Sequence, residues 1–474
     1  MNQDRGTAGL APVTATLAGQ PATAGPAAAA GPAAGPAAAA ATAVRRGTPR
    51  AGSALDLPGD PLSRRAARGQ GGLRRQSQQR GGRGRLSGTP ALILLASLIV
   101  SLLAASSAPT PLYAIYQQRW GFSPITTTIV YGVYALTVLA SLLTLGRLSD
   151  YVGRRPVLLT ALAVQVAAMV VFATADGVGG LLIARVIQGL STGAALGAIG
   201  AAMLDIDTER GALANAMSPG LGSGSGALLS ALFVQYLPAP THLVYLALIG
   251  IIAVQAVGVA LLRETVTTSR VPAGALVPEV RLPKSVRGPV LAAAPVVFAA
   301  WALGGLYGAL GPALVHALTG SASVVLGGGS LTLLTVTAVI SVYLLRKAPA
   351  RTVMHTGIAA LVTGVAITLV ALGTGSAALF FAGTAVSGIG FGSGFQGGIR
   401  TVVPAAAPHE RAGVLSLLFT VSYLGLGVPA VVAGFLSVHG AGLIGATRDY
   451  GVALIVLAAF AFAVLTRSRG AVSR

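Results

Sequence analysis

From residue 90 onward the chain is a succession of apolar runs parted by short polar breaks. The runs cover residues 90–112, 124–146, 155–174, 180–203, 211–236, 242–262, 289–313, 322–345, 352–373, 377–403, 411–437 and 450–466. About 20 residues at roughly 1.5 Å rise cross a hydrocarbon core about 30 Å thick. Lipid offers the backbone no hydrogen bonds, so each run is expected to be a helix. Only 9% of the residues are charged, against about 25% in a soluble domain, too few to cover a water-facing surface. The expected fold is an all-α membrane protein with twelve transmembrane helices.

The net charge of +20 resembles a nucleic-acid footprint until its placement is followed. Residues 1–88 are rich in Ala, Gly and Pro, then in Arg, and hold twelve Arg and three Asp. Without hydrophobic periodicity they are expected to be a disordered cytoplasmic tail. A lipid anchor, a nucleic-acid contact and a transit peptide are the alternatives for this segment; no nucleic-acid partner is expected for the chain. With the N-terminus inside, 29 of the 32 Lys and Arg fall on the cytoplasmic side. Only Arg119 and Arg448 fall outside, and Arg185 lies within a helix. This is a strong positive-inside pattern, placing both termini in the cytosol.

Residues 263–288, with five basic residues and three prolines, divide the body into 89–262 and 289–474, six helices each, the second ending in a short cytoplasmic tail. An offset of 201 residues pairs Gly189, Gly193 and Gly197 with Gly390, Gly394 and Gly398, and Glu209-Arg210 with Glu410-Arg411. It also pairs Gly224 with Gly425 and Gly226 with Gly427. Two pseudo-symmetric bundles with a substrate bound between them near the midplane are the expected build of a secondary transporter.

Several chemistries are excluded. Cysteine is absent, so there are no disulfides or thiolate sites. The five histidines, at 242, 316, 355, 409 and 439, form no metal-binding pair. The first thirty residues hold no apolar core of a secretory signal. No Gly-x-x-x-x-Gly-Lys-Ser/Thr string is present, so energy is expected from a solute or proton gradient, or transport is passive. No metal or other cofactor is expected.

The break between the second and third runs reads Gly146-Arg147-Leu148-Ser149-Asp150-Tyr151-Val152-Gly153-Arg154-Arg155. A basic, glycine-bearing turn after an apolar helix is a cytoplasmic hairpin on physical grounds. The string resembles the loop 2–3 signature of the major facilitator superfamily, in which a Gly is followed four residues later by Asp and then by Gly-Arg-Arg/Lys. Gly146, Asp150, Gly153, Arg154 and Arg155 match, and Tyr151 stands where the family usually has Arg or Lys. The resemblance implies a gate latch between the halves. Asp150 would face the N-terminal end of helix 11 near Arg411, Ala412 and Gly413, and Arg154 or Arg155 would pair with acids such as Glu209. Arg210 and Glu410 complete the loop partners. Read without the resemblance, the string is a topogenic loop. The equivalent loop 8–9, residues 346–351, keeps its charge but has no Asp, so a second latch is not expected.

In the fourth run Arg185, Gln188 and Thr192 follow i, i+3, i+7 spacing and share one face. An Arg at a helix centre costs about 2.5–3.5 kcal/mol on insertion, so the stripe must face the bundle interior. Arg-x-x-Gln-Gly resembles the helix-4 signature of drug and metabolite transporters, where the Arg is implicated in proton coupling or in binding substrate anions. A structural Arg bonded to neighbouring backbone is the alternative. The Gly-Ser run 220–226 resembles the helix-5 antiporter signature but lacks its Gly-Pro step, and close helix packing also explains it. The glycine-rich tenth run suits bending. Trp301, Tyr307 and Gln396 are candidates for a substrate cavity.

The twelve acids stand at 4, 56, 60, 150, 176, 205, 207, 209, 264, 279, 410 and 449, none near the middle of a run. A buried carboxylate is the usual proton carrier and partner of cationic drugs, so a neutral or anionic substrate engaging Arg185 fits better. The expected function is secondary active transport of a small organic solute by alternating access, with efflux of a drug or metabolite preferred on the resemblance alone. Facilitated or uptake transport of a neutral or anionic metabolite or sugar is the alternative. A non-transporting receptor on the same fold is the rival of another class. A membrane-embedded enzyme would need acids, His, Ser or metal ligands clustered at one depth, and none are. The expected partners are the substrate, the lipid bilayer and possible protons, the protein a monomer in the plasma membrane.

Overall fold

The computed structural model describes residues 86–272, 274–278 and 280–467. The expected disordered tail lies outside these residues as far as position 85. Twelve long helices follow one another: α1 Gly88–Trp120, α2 Pro124–Leu145, α3 Arg154–Ala173, α4 Val178–Ile206, α5 Thr208–Tyr236, α6 Pro240–Ala260, α7 Arg287–Thr319, α8 Val324–Leu344, α9 Ala350–Thr374, α10 Ala377–Val402, α11 Arg411–His439 and α12 Gly442–Arg467. Among the described residues, eleven are long and apolar enough to cross a bilayer. The other, α5, has the length at 29 residues but is diluted by Gly and Ser between 218 and 226. It packs against α1 on one side and α8 on the other.

Helix ends follow local chemistry. Pro109, Pro124, Pro240 and Ala350 after Pro349 open helical segments, where a missing amide proton is harmless. The Asp207 side chain accepts from the Arg210 amide at 2.9 Å, capping α5 one residue after α4 ends. The structure lengthens several runs beyond the expected bounds, and α1 continues eight residues past the expected 112 to Trp120. Helix α12 begins at Gly442, eight residues before the expected 450, so exposed Arg448 and Asp449 ride on its first turns. Helix α7 extends to Thr319 because its internal Pro295 and Pro312 are absorbed without ending it.

Helices α1, α3, α4 and α6 share one apolar core with the start of α2, and α7–α12 supply another. A smaller cluster joins them, with Tyr134, Ala135, Val138 and Leu139 of α2 against Tyr423 and Leu426 of α11. The bundles therefore meet along α2–α11 and α5–α8. Close approach there uses small residues: a Cβ on Gly132 would lie 2.8 Å from Val431, and one on Gly220 would lie 2.7 Å from Val339.

The 201-residue offset does not hold at the level of helix faces. Gly189 and Gly193 lie against α2. Their offset partners Gly390 and Gly394 lie against α9 and α7, whereas Gly388 and Gly392 lie against α8, the counterpart of α2. The equivalent residues in α4 and α10 are thus 199 apart. Two residues turn a helix by about 200°, enough to move a glycine to the opposite face. Glycine is so frequent in α10 that a shifted register still produces matches.

Candidate functional site

The α2–α3 hairpin is fastened from three directions. Its chain turns through Ser149–Val152, one helical turn, and then through Gly153 at φ 106°, ψ 151°. That conformation favours glycine, and a Cβ there would stand 2.9 Å from Oε2 of Glu264. Glu264 accepts from the backbone amides of Arg154 and Arg155, both at 2.9 Å. A carboxylate thus satisfies the orphan donors at the positive end of α3. The buried Arg154 guanidinium donates to Ser149 Oγ at 2.7 Å, to Asp150, and through Nε to Asp205 Oδ2 at 3.4 Å. Thr265 Oγ1 donates to the same Asp205 oxygen at 3.0 Å. Hairpin, end of α4 and the segment after α6 meet at one arginine.

The remaining residues of the expected latch have the following contacts. Asp150 pairs with Arg154 in its own hairpin. The start of α11 is covered by Arg281, whose amide donates to Gly413 O at 3.2 Å. Glu209 is exposed and makes no ion pair among the described residues, and Arg210 pairs with Asp207 at 3.8 Å. Glu410 accepts from the Ala407 amide at 3.4 Å and Arg411 donates to Ala406 O at 3.4 Å, so both stay within their own turn. Gly146 ends α2 beside Gly197, whose Cβ position would be 2.7 Å from Gly146 O.

Deeper in the first bundle, Arg185 is fully buried. Its Nη1 donates to Ser106 O at 2.8 Å and to Gln188 Oε1 at 2.7 Å. Nε and Nη2 donate to the Tyr113 hydroxyl at 3.2 and 2.6 Å. Gln188 Nε2 continues to Ala105 O at 3.0 Å. The guanidinium carbon sits 5.2 Å from the Tyr134 ring centre, 5.5 Å from Phe172 and 5.9 Å from Tyr113. Every described partner is neutral. Thr192, the third residue of the stripe, is equally buried, but its Oγ1 has no hydrogen-bond partner.

Of the expected cavity residues, Trp301 alone stands at the junction of the bundles. Its ring lies 5.0 Å from Tyr423, 5.3 Å from Phe395 and 6.3 Å from Phe391, centre to centre. Tyr307 turns into the second bundle, where it accepts from Thr384 Oγ1 at 2.9 Å. Gln396 donates to Val342 O at 3.3 Å, between α10 and α8. The structure does not bring these three together.

The geometry matches a known group of proteins. The Major Facilitator Superfamily family model matches residues 93–428, most of the chain. The chain belongs to the major facilitator superfamily. Among solved structures, the chain is similar to a bacterial homologue of the human lysosomal transporter Spinster, with a TM-score of 0.63 and 13% identity over 79% of this chain and 96% of that one. The nucleoside transporter NupG gives 0.59 and 14% over 79% and 99%, and the human organic anion transporter MFSD10 gives 0.57 and 17% over 78% and 98%. At these identities the likeness is one of fold. The inner membrane transport protein YajR of Escherichia coli is 34% identical over 90 residues, 19% of each chain, so the match spans under a fifth of that relative's length. The superfamily makes this a multi-pass membrane protein and a transporter rather than an enzyme.

Residues outside the sequence expectations also join the site. Tyr113 of α1 offers its hydroxyl and Ser106 its backbone oxygen to Arg185 of α4; Tyr113 stands seven residues after Ser106, on the same face of the helix. Glu264 lies in a break that reads only as polar, and its capping role comes from the folding of that segment back on α3.

Proposed function

We propose that this superfamily member moves a small neutral or anionic organic solute across the cell membrane, by alternating access of the bundles formed by residues 89–262 and 289–474. The observation that carries the reading is Arg185, fully buried in a transmembrane helix with only neutral partners among the described residues. A buried cation without a counter-charge is costly, and a solute bearing an acceptor or negative charge supplies the missing partner. Among the described residues the acids stand in loops or near helix ends, so no midplane carboxylate among them competes for Arg185. The loop signature at Asp150 and Arg154 supports a gate latch at the cytoplasmic face, and the Lys/Arg distribution supports both termini in the cytosol. Efflux driven by a solute or proton gradient is the preferred direction. Gradient-independent flux is the second reading, favoured by the lack of a midplane acid.

Proteoliposome flux of a panel of labelled neutral, anionic and cationic metabolites tests this. Anionic or neutral solutes are expected to move, with Arg185→Ala abolishing flux and Arg185→Lys leaving a fraction, since ammonium cannot reproduce the forked donors. Undiminished flux in Arg185→Ala, or transport confined to cations, would overturn the reading. Collapsing the pH gradient separates coupled from passive movement.

A further inference from the structure

Three observations converge beside Arg185. First, the Tyr134 hydroxyl and Thr192 Oγ1 are both buried without a partner at hydrogen-bonding geometry. Both side chains are more than nine-tenths buried, at 4% and 0% exposure. Second, the guanidinium has five N–H groups, and its hydrogen bonds occupy four of them. Third, Tyr134 packs in the cluster between the bundles with Tyr423, and Trp301 packs against that cluster. The Trp301 indole nitrogen is buried without an acceptor. Phe391, Phe395 and Phe419 complete the aromatic wall.

Donors that end unpaired in a buried site are uncommon, because each forfeits about 1–3 kcal/mol of solvation. Here the unpaired donors belong to neighbouring residues: the Tyr134 and Thr192 hydroxyls and a spare guanidinium N–H by Arg185, and an indole N–H among the aromatic rings packed against the Tyr134 cluster. An acceptor oxygen of a ligand would engage the first set, and a flat ring would stack within the second.

We infer that the site selects planar aromatic carboxylates. The carboxylate sits on Arg185, Tyr134 and Thr192, and the ring stacks against the Trp301–Tyr423 pair of α7 and α11. Because the two ends of the ligand are held by different bundles, the aromatic solute itself draws the bundles together. This rests on the anionic reading of Arg185 proposed above and narrows it to one class.

The chain has two tryptophans, so Trp120→Phe leaves Trp301 as the sole indole and a reporter inside the site. Benzoate and cyclohexanecarboxylate, alike in charge and size but not in planarity, are titrated against its emission in the full-length protein. A saturable change with benzoate at an affinity about two- to tenfold above that for cyclohexanecarboxylate is expected from the added aromatic contact. Tyr134→Phe is expected to weaken benzoate about tenfold, the loss of one charge-assisted hydrogen bond, without altering the emission of the unliganded protein. Equal affinity for the two acids overturns the aromatic selection. If both acids are then still carried in an Arg185-dependent way, the anionic reading stands alone. A Trp301 emission indifferent to either acid, with Arg185-dependent flux intact, places the ligand elsewhere and overturns the inference. Competition of the two acids for flux in the unaltered protein separates the same outcomes without any variant.

Discussion

The Cβ that Gly193 lacks would stand 2.6 Å from the carbonyl oxygen of Val138. Helices α4 and α2 therefore touch backbone to backbone, and Gly189 and Gly197 continue the seam above and below. Gly193→Val is expected to force the helices apart at a cost of about 1–3 kcal/mol. Gly179→Ala, with nothing within 4 Å of its Cβ position, is the neutral control. Thermal unfolding in detergent, with size-exclusion profiles, reads the difference. A Gly193→Val protein as stable as the control would show that the seam is not close-packed.

Tyr113→Phe removes the acceptor shared by two donor groups of Arg185. Hydrogen bonds to charged groups contribute about 1.5–3 kcal/mol, so the variant is expected to unfold several degrees below wild type. Tyr116→Phe serves as the contrast, because that hydroxyl meets only Tyr245, at 3.2 Å. A larger loss from Tyr116→Phe than from Tyr113→Phe would mean that the arginine is satisfied by other groups.

These sites differ in how far the sequence exposed them. The run of helices was legible because lipid imposes length and apolarity residue by residue, and the loop signature because its glycine and charges are local. Arg185 and Gln188 were legible as a stripe on one helix, but Tyr113 and Ser106 come from another helix and are joined only by folding. Glu264 and Asp205 were visible as acids, while their attachment to Arg154 depends on how the chain after α6 turns back. Trp301 and Tyr307 look alike by residue type, although six residues along one helix set them about 120° apart.

Glu264 caps α3 and holds the start of the segment between α6 and α7, whose Ser269 amide also donates to Tyr151 O at 2.9 Å. Glu264→Ala leaves two amides of α3 without an acceptor, a loss comparable to that of an N-cap, about 1 kcal/mol. The segment is then expected to release from the hairpin several times more often. Trypsin cleavage after Arg263 and Arg270, both exposed, should accelerate accordingly. Cleavage at an unchanged rate would mean that the remaining contacts, Asp205 to Thr265 among them, hold the segment alone.

The absence of cysteine allows the orientation to be measured directly, since no native thiol has to be removed. Gly177 lies between α3 and α4 with extended backbone and open space at its Cβ position, and Thr268 is exposed between α6 and α7. An even number of crossings separates Thr268 from the N-terminus, and an odd number separates Gly177 from it. With Lys and Arg held inside, a membrane-impermeant maleimide should label Gly177→Cys in intact cells and Thr268→Cys only after permeabilisation. The reverse pattern would put the Arg154–Asp205 junction outside the cell. It would also remove the reason for basic residues to gather at these loops, because the potential that retains them acts on the cytosolic face.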